Sequence, residues 1–292
     1  MMRPRPATAP DPTDAEGAAY AGAVCNACGV ELGTRLHSGE VVDVYRGFAR
    51  GATGPADSEA RTAPTPVAVK LTRERWRGHR GAIELVAREH RVLASIHHPH
   101  VVRPRGWAER GGVAALVTEF LPGGDLVPLA GGPARHWLPA ARAVASALAA
   151  VHSAGFVHGD VKARNVLFDA GGRAKLVDFG SAERIGARRG TGGRTRAHEP
   201  LTFELSTASP VEDAYAFAVL LYELLAGRLP FGPAPARWAR PAPLEIGAPR
   251  GLEPLAARVT ASLQAAKPAD VVTLIEFADV LESVHGEAVG PA

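Results

Sequence analysis

The chain predicts an α+β fold of two unequal lobes, a small β-rich one followed by a larger helical one. Three observations predict it. Extended, β-branched runs punctuated by glycine crowd the stretch before about residue 121. Helical periodicity dominates the stretch after it. A hydrophobic content of 46% over 292 residues suffices to bury a core in each lobe. The expected divisions are a disordered tail over residues 1–30, a first lobe over 31–120, a second over 121–285 and a short tail over 286–292.

The elements follow in chain order. The opening MMRPRPATAPDPTDAEG is rich in Pro, Ala, Asp and Thr and is expected to be disordered. After Cys25-Asn-Ala-Cys28, Gly39–Phe48 and Pro66–Leu71 read as strands, joined by the polar GATGPADSEARTAPTP. Ile83, Val86, Leu93 and Ile96 recur at helical spacing and predict a helix over Ala82–Ile96, with Pro99 just beyond its end. Two more strand-like runs flank GWAERGG between Val101 and Phe120. A glycine-rich connection over Pro122–Gly132 leads to a helix over Pro139–Ser153, with proline at its start. Val211–Leu225 is the most apolar segment.

Composition excludes several function classes. With 33 basic and 30 acidic residues the net charge is only +3, so a nucleic-acid-binding surface is not expected. Two cysteines cannot staple a disulfide scaffold. No run reaches the roughly 20 apolar residues of a membrane span, and the first residues lack the apolar core of a secretory signal. A soluble cytoplasmic protein is expected, with no membrane partner; the oligomeric state is left open. Cys25 and Cys28 form half of a tetrahedral zinc site, with His37 as a third candidate ligand, but the plainer reading is two small residues leading into the first strand.

Only four of the basic residues are lysine (Lys70, Lys162, Lys175 and Lys267), and asparagine occurs only as Asn26 and Asn165. In a chain that writes arginine so freely, a lysine marks a place where arginine does not serve. Two of these scarce residues, Lys162 and Asn165, fall within His158-Gly-Asp-Val-Lys-Ala-Arg-Asn165, which Asp178-Phe-Gly180 follows about a dozen residues on. Phosphoryl transfer needs a carboxylate to orient the attacking hydroxyl, a cation on the moving phosphate, and oxygen ligands for Mg²⁺. Asp160, Lys162, Asn165 and Asp178 supply that set.

The pattern H-x-D-x-K-x-x-N followed by D-F-G resembles the eukaryotic-like protein kinase family, in its bacterial serine/threonine form. The resemblance implies a two-lobed kinase fold, ATP and Mg²⁺ as nucleotide and cofactor, and a protein as phosphate acceptor. It assigns Lys70, in Val67-Ala-Val-Lys70, to the α- and β-phosphates and Glu89 to holding that lysine. Asp160 becomes the residue that accepts or orients the substrate hydroxyl, Lys162 the cation on the γ-phosphate, and Asn165 and Asp178 the metal ligands. Thr118-Glu119-Phe120-Leu121 resembles the segment that meets adenine through its backbone. Asp125 would contact ribose, and Val44, Ala68 and Leu167 would sandwich the base. Farther on, Ala197-His198-Glu199 stands in the place of Ala-Pro-Glu, and Lys267-Pro268 in that of an Arg-Pro whose cation pairs with the glutamate. Asp213 stands where an aspartate holds the backbone of the catalytic loop. His97-His98-Pro99-His100 aligns with a structural turn.

Two departures stand out. Alignment on Val44-Tyr45 puts His37, Gly39 and Val42 where the family's glycine-rich loop has its three glycines, so only Gly39 remains to let the backbone approach phosphate. Gly159 replaces the arginine that usually pairs with a phosphorylated residue, which predicts activity independent of phosphate on Thr191 or Thr195. His-Gly-Asp also resembles the small-molecule phosphotransferases of the same fold, such as those acting on aminoglycosides, and the depleted glycine loop resembles catalytically inactive scaffolds. Lys162, Glu199, Asp213 and the intact set of polar site residues favour an active protein kinase over both.

Overall fold

The computed structural model describes residues 22, 24–50, 64–188, 198–200, 205–232 and 251–288. The chain divides into two compact units, one of residues up to His90 with Pro104–Phe120, the other of Arg91–Arg103 with the chain from Leu121 onward. The tail before residue 22 and the connection 51–63 lie outside the described residues.

The first unit is built on a five-stranded antiparallel sheet: β1 (Val30–Ser38), β2 (Val42–Ala49), β3 (Thr65–Thr72), β4 (Pro104–Arg110) and β5 (Val113–Glu119), in the order β1-β2-β3-β5-β4. The sequence places the first strand at Gly39; the structure adds β1 before it and turns the chain at Gly39. β1 was illegible because it is an edge strand with only Val30 buried, so no alternation of apolar and polar residues marks it. Along β3 the alternation is clear. Val67, Val69 and Leu71 pack with Val113, Ala115 and Val117 of β5 into one core. Gly111 and Gly112, at φ 60° and 79°, make the tight β4–β5 turn that only glycine-like residues adopt without strain.

Val24 and Cys25 complete that core from a helical turn over residues 24–27. Residues expected to belong to the tail are therefore packed, because both side chains are almost fully buried. Burial and the neighbouring Cys28 push the Cys25 thiol up to about 12. Cys25 packs in the core and Cys28 lies partly buried against it; no group of three metal-ligating side chains occurs among the described residues. Helix α1 (Arg80–Ala94) carries a buried stripe of Ala82, Val86, Glu89 and Leu93.

The second unit is mostly helical. Its helices are α2 (Ala134–Ser153), α3 (Pro210–Ala226), α4 (Glu253–Leu263) and α5 (Leu274–Ala288). Two short hairpin-like pairs accompany them, β6 (Phe156–Val157) with β9 (Glu183–Arg184), and β7 (Val166–Phe168) with β8 (Ala174–Leu176). Helix α3 is buried along nearly its whole length and packs on α4, while α2 packs on α5 and β8. It begins in a capping box, with Glu212 Oε1 accepting the Ser209 N–H at 2.9 Å and Pro210 at its first position, and ends at Gly227 with φ 68°. No helix among the described residues is long and apolar enough to cross a membrane.

Helix α2 starts at Ala134, earlier than its sequence predicts, and Pro139 lies inside it. Burial explains the extra turn: Trp137 and Leu138 are almost fully enclosed, and Trp137 Nε1 donates to Gly132 O at 3.2 Å. Their packing outweighs the backbone hydrogen bond that proline removes. Because Pro139 itself is exposed, Pro139→Ala is expected to stabilise the protein by about 1–3 kcal/mol, read as a higher midpoint in urea unfolding.

Candidate active site

In the first unit, strand register gathers the expected nucleotide-facing residues. Val44 lies opposite Lys70, Lys70 opposite Leu116, and Ala68 opposite Thr118. Because strand side chains alternate, Val44, Ala68, Lys70 and Thr118 share the face turned away from the Val67–Val69–Leu71 core. Glu119 lies opposite Val67, so its side chain belongs to the other face and only its backbone serves this one. Lys70 Nζ meets Glu89 Oε1 at 2.6 Å, with the glutamate side chain 5% exposed and the lysine 18%. Glu89 sits on the buried stripe of α1, so helix packing fixes the carboxylate, which in turn fixes the ammonium.

In the second unit the catalytic-loop residues hang on one buried carboxylate. Asp213, near the start of α3, accepts the backbone N–H of His158 at 2.7 Å and of Gly159 at 2.9 Å. It also meets His152 Nε2, at the end of α2, at 2.8 Å. Complete burial alone would raise the Asp213 carboxyl. The His152 hydrogen bond, the charges of His152 and His158 and the Gly159 amide outweigh burial and bring it below the usual carboxylate range. The expectation that Asp213 holds the loop backbone is met. His152 was not anticipated, since a lone histidine at a helix end gives no sign of a partner so far along the chain.

His158 extends the network. Its Nδ1 accepts the Asp160 N–H at 3.2 Å, its Nε2 donates to Val177 O at 3.0 Å, and its ring stands edge-on to Phe179 at 4.7 Å. Val177 N donates to Asn165 O at 2.9 Å. One imidazole thus ties the segment carrying Asp160 to the segment carrying Asp178. Lys162 Nζ lies 2.6 Å from Asp160 Oδ2. Asn165 Nδ2 donates to Asp160 O at 2.8 Å and to Asp160 Oδ2 at 2.9 Å. Both amide hydrogens are then used, which leaves Oδ1 as the atom Asn165 can give to a cation. Asp178 adopts φ 63°, ψ 72°, the only positive φ outside glycine among the described residues. A left-handed residue at this point costs about 1–2 kcal/mol, and such strain persists where geometry is imposed for function. An amide oxygen and a carboxylate suit a hard divalent cation that completes its shell with phosphate and water.

Other expected residues are placed as follows. Leu121 is buried, and Leu167 of β7 bridges to Asp125, whose Oδ1 accepts the Val127 N–H at 3.1 Å. Lys267 does not pair with Glu199: its side chain is 69% exposed and meets Asp270 at 3.9 Å, one helical turn along the chain. Gly159 has φ 75°, and a Cβ there would lie 2.8 Å from Ser181 O, so no side chain fits where the family has arginine. Burial, followed by Asp160 pulling upward and Lys162 downward, lowers the His198 imidazole to about 4, so the ring is neutral at pH 7. His97–His100 is structural, with His98 Nε2 at 3.1 Å from Ser146 Oγ and His100 Nδ1 at 2.8 Å from Ala174 O. Thr191, Thr195 and Ala197 lie outside the described residues.

A β-rich unit bearing a buried lysine–glutamate pair, together with a helical unit bearing this loop, defines a protein kinase. The chain belongs to the protein kinase domain family, which matches it over residues 50–238. Similar proteins include the serine/threonine-protein kinase pkn2 of Myxococcus xanthus, 33% identical over 251 residues (75% of this chain and 29% of that protein). The serine/threonine-protein kinase PkaB of Streptomyces coelicolor is 39% identical over 188 residues (57% of this chain and 44% of that protein). PknL of Mycobacterium tuberculosis is 33% identical over 217 residues (69% of this chain and 54% of that protein). The chain thus spans between 29% and 54% of the length of these curated relatives.

Because the folded state lowers the Asp213 carboxyl, its ionised form adds stability that is full above the unfolded value of about 4 and is lost as pH falls through the lower folded value. Asp213→Asn is expected to cost about 2–3 kcal/mol at pH 7 and to flatten the loss of stability below pH ~4, measured by urea unfolding across pH.

Proposed function

We propose that this protein transfers the γ-phosphoryl group of ATP to serine and threonine hydroxyls of proteins, with Mg²⁺ as cofactor. The observation that carries the reading is the joint retention of two polar assemblies in a chain of this family: Lys70 with Glu89, and Asp160 with Lys162 and Asn165, tied through His158 to Val177 beside Asp178. The names of the similar bacterial kinases support serine and threonine as acceptors. Lys162 supports a protein over a small-molecule acceptor.

Lys70, steadied by Glu89, would take the α- and β-phosphates, and the turn at Gly39 would lie against the phosphate chain. Val44, Ala68 and Leu167 would enclose the adenine, with the backbone of Glu119 and Leu121 at its edge and Asp125 at the ribose. Asn165 Oδ1 and the Asp178 carboxylate would hold Mg²⁺, which when bound offsets the charge on the phosphate oxygens. Asp160 would orient the acceptor hydroxyl and take its proton, a role that contributes typically about 10²–10⁴-fold. Lys162 Nζ, already beside Asp160, would meet the negative charge of the phosphoryl group in transit. A reaction that draws on ATP and protein acceptors fits the cytoplasm.

Incubation with labelled ATP and Mg²⁺ tests the reading. Label is expected on serine or threonine of a generic basic protein, at least about 10²-fold less with Asp160→Ala, and none with Asp178→Asn although its circular dichroism is unchanged. Label found only on an aminoglycoside, or on nothing, overturns it. The double variant Thr191→Ala/Thr195→Ala is expected to keep activity within about tenfold of the parent, or about 1.4 kcal/mol in barrier. A larger loss shows a phosphorylation switch operating without an arginine at Gly159.

A further inference from the structure

The three-residue turn between β1 and β2, Gly39-Glu40-Val41, lacks two of the glycines expected around it, yet each of its carbonyls is engaged by one short segment. Arg73 Nη1 donates to Gly39 O at 2.8 Å and Arg73 N to Val41 O at 2.9 Å. Trp76 Nε1 donates to Glu40 O at 3.0 Å, and Arg75 donates to the same oxygen. The segment is itself anchored at its far end. Arg77 Nε donates to Gly111 O at 3.0 Å and Gly78 N to Gly112 O at 2.8 Å. Residues 73–78 therefore form a strap between the β1–β2 turn and the β4–β5 turn.

Asp43 secures the near end of the strap. This buried carboxylate accepts the Ser38 hydroxyl at 2.7 Å and lies 3.7 Å from both Arg35 Nη1 and Arg73 Nε. Arg73 is thereby held by charge while its other nitrogens hold the turn. Gly39 is the one glycine the turn cannot exchange: its N–H donates to Val42 O at 2.9 Å, and a Cβ would come within 2.8 Å of that oxygen.

Peptide planarity gives these bonds a consequence. In a trans peptide the N–H points opposite to the preceding C=O. Carbonyls of residues 39, 40 and 41 drawn toward the strap turn the amides of Glu40, Val41 and Val42 away from it. No acceptor among the described residues takes the Glu40 or Val41 N–H. Successive amides aimed one way favour an anion.

We propose that Arg73 and Trp76 are positioning residues that hold the β1–β2 turn with its amides presented to nucleotide phosphates, a braced turn serving where the family relies on glycines. The inference rests on the reading of this protein as an ATP-dependent kinase. It assigns to the strap a contribution to phosphate affinity and none to adenosine affinity, because the brace acts on the turn alone.

Titration calorimetry of the full chain with ATP plus Mg²⁺, with ADP plus Mg²⁺ and with adenosine tests it, using Arg73→Ala and the milder Trp76→Phe, which removes the indole N–H and leaves a smaller aromatic ring. Arg73→Ala is expected to weaken ATP and ADP by about tenfold, and Trp76→Phe by a smaller factor, with adenosine affinity unchanged in both. Arg73→Lys is expected to restore part of the loss. Equal weakening of all three ligands, or no weakening, overturns the brace while leaving the kinase reading standing. A parent protein that binds adenosine and ATP equally weakly overturns the kinase reading, and the brace with it. Arg258→Ala, which breaks an exposed pair with Glu276, is the control and is expected to bind all three as the parent does.

Discussion

The second unit is organised around a charge with no access to water. Asp213 is fully buried, and a bare carboxylate there would be prohibitively costly. It is tolerated because His152 and two consecutive backbone amides donate to it. The same constraint read in reverse explains the loop. The amides of His158 and Gly159 must stay where the carboxylate needs them, so the chain between β6 and β7 has little freedom. His158 then passes the restriction on, through Asp160 on one ring nitrogen and Val177 on the other. Four polar side chains can hold fixed relations on a stretch with almost no regular secondary structure because their backbone is pinned from beneath.

That dependence also explains Gly159. A residue whose amide points into Asp213 and whose Cα faces Ser181 O at φ 75° has no room for a side chain. The arginine found here in relatives of the resemblance is excluded by local backbone geometry. The missing phosphate-binding cation is a consequence of how the loop is held.

Much of this was legible in the sequence, and unevenly. Scarcity made the site readable: Lys70, Lys162 and Asn165 stand out in a chain that otherwise writes arginine and has almost no asparagine. Helix α3 was readable from its apolar run, while the capping box at Ser209 that fixes its start emerged only in the structure. What escaped were features set by contacts distant in sequence. β1 carries almost no buried residues, so its pattern says nothing until β2 pairs with it. The start of α2 is set by the burial of Trp137 against a local proline signal. The Lys267–Glu199 pair was carried over from a family pattern, yet Asp270 lies nearer along the chain and an exposed lysine gains little by reaching farther.

The two departures from the family pattern have opposite physical meanings. At Gly159 a side chain was replaced by glycine because the backbone adopts a shape that other residues resist. At His37 and Val42 side chains stand where the family has glycine, which is possible because both residues lie in β-strand, His37 opposite Val44 just past a register irregularity after Arg35 and Val42 opposite Thr72. Glycine's conformational freedom helps a loop that must find its shape around a ligand, and it is redundant in a turn whose carbonyls are already held. A turn tied by Arg73, Arg75 and Trp76 has settled its shape before any ligand arrives, which lowers the ordering entropy that binding must overcome. The family match begins at residue 50, so β1, β2 and the turn in which the glycine departures lie fall before it.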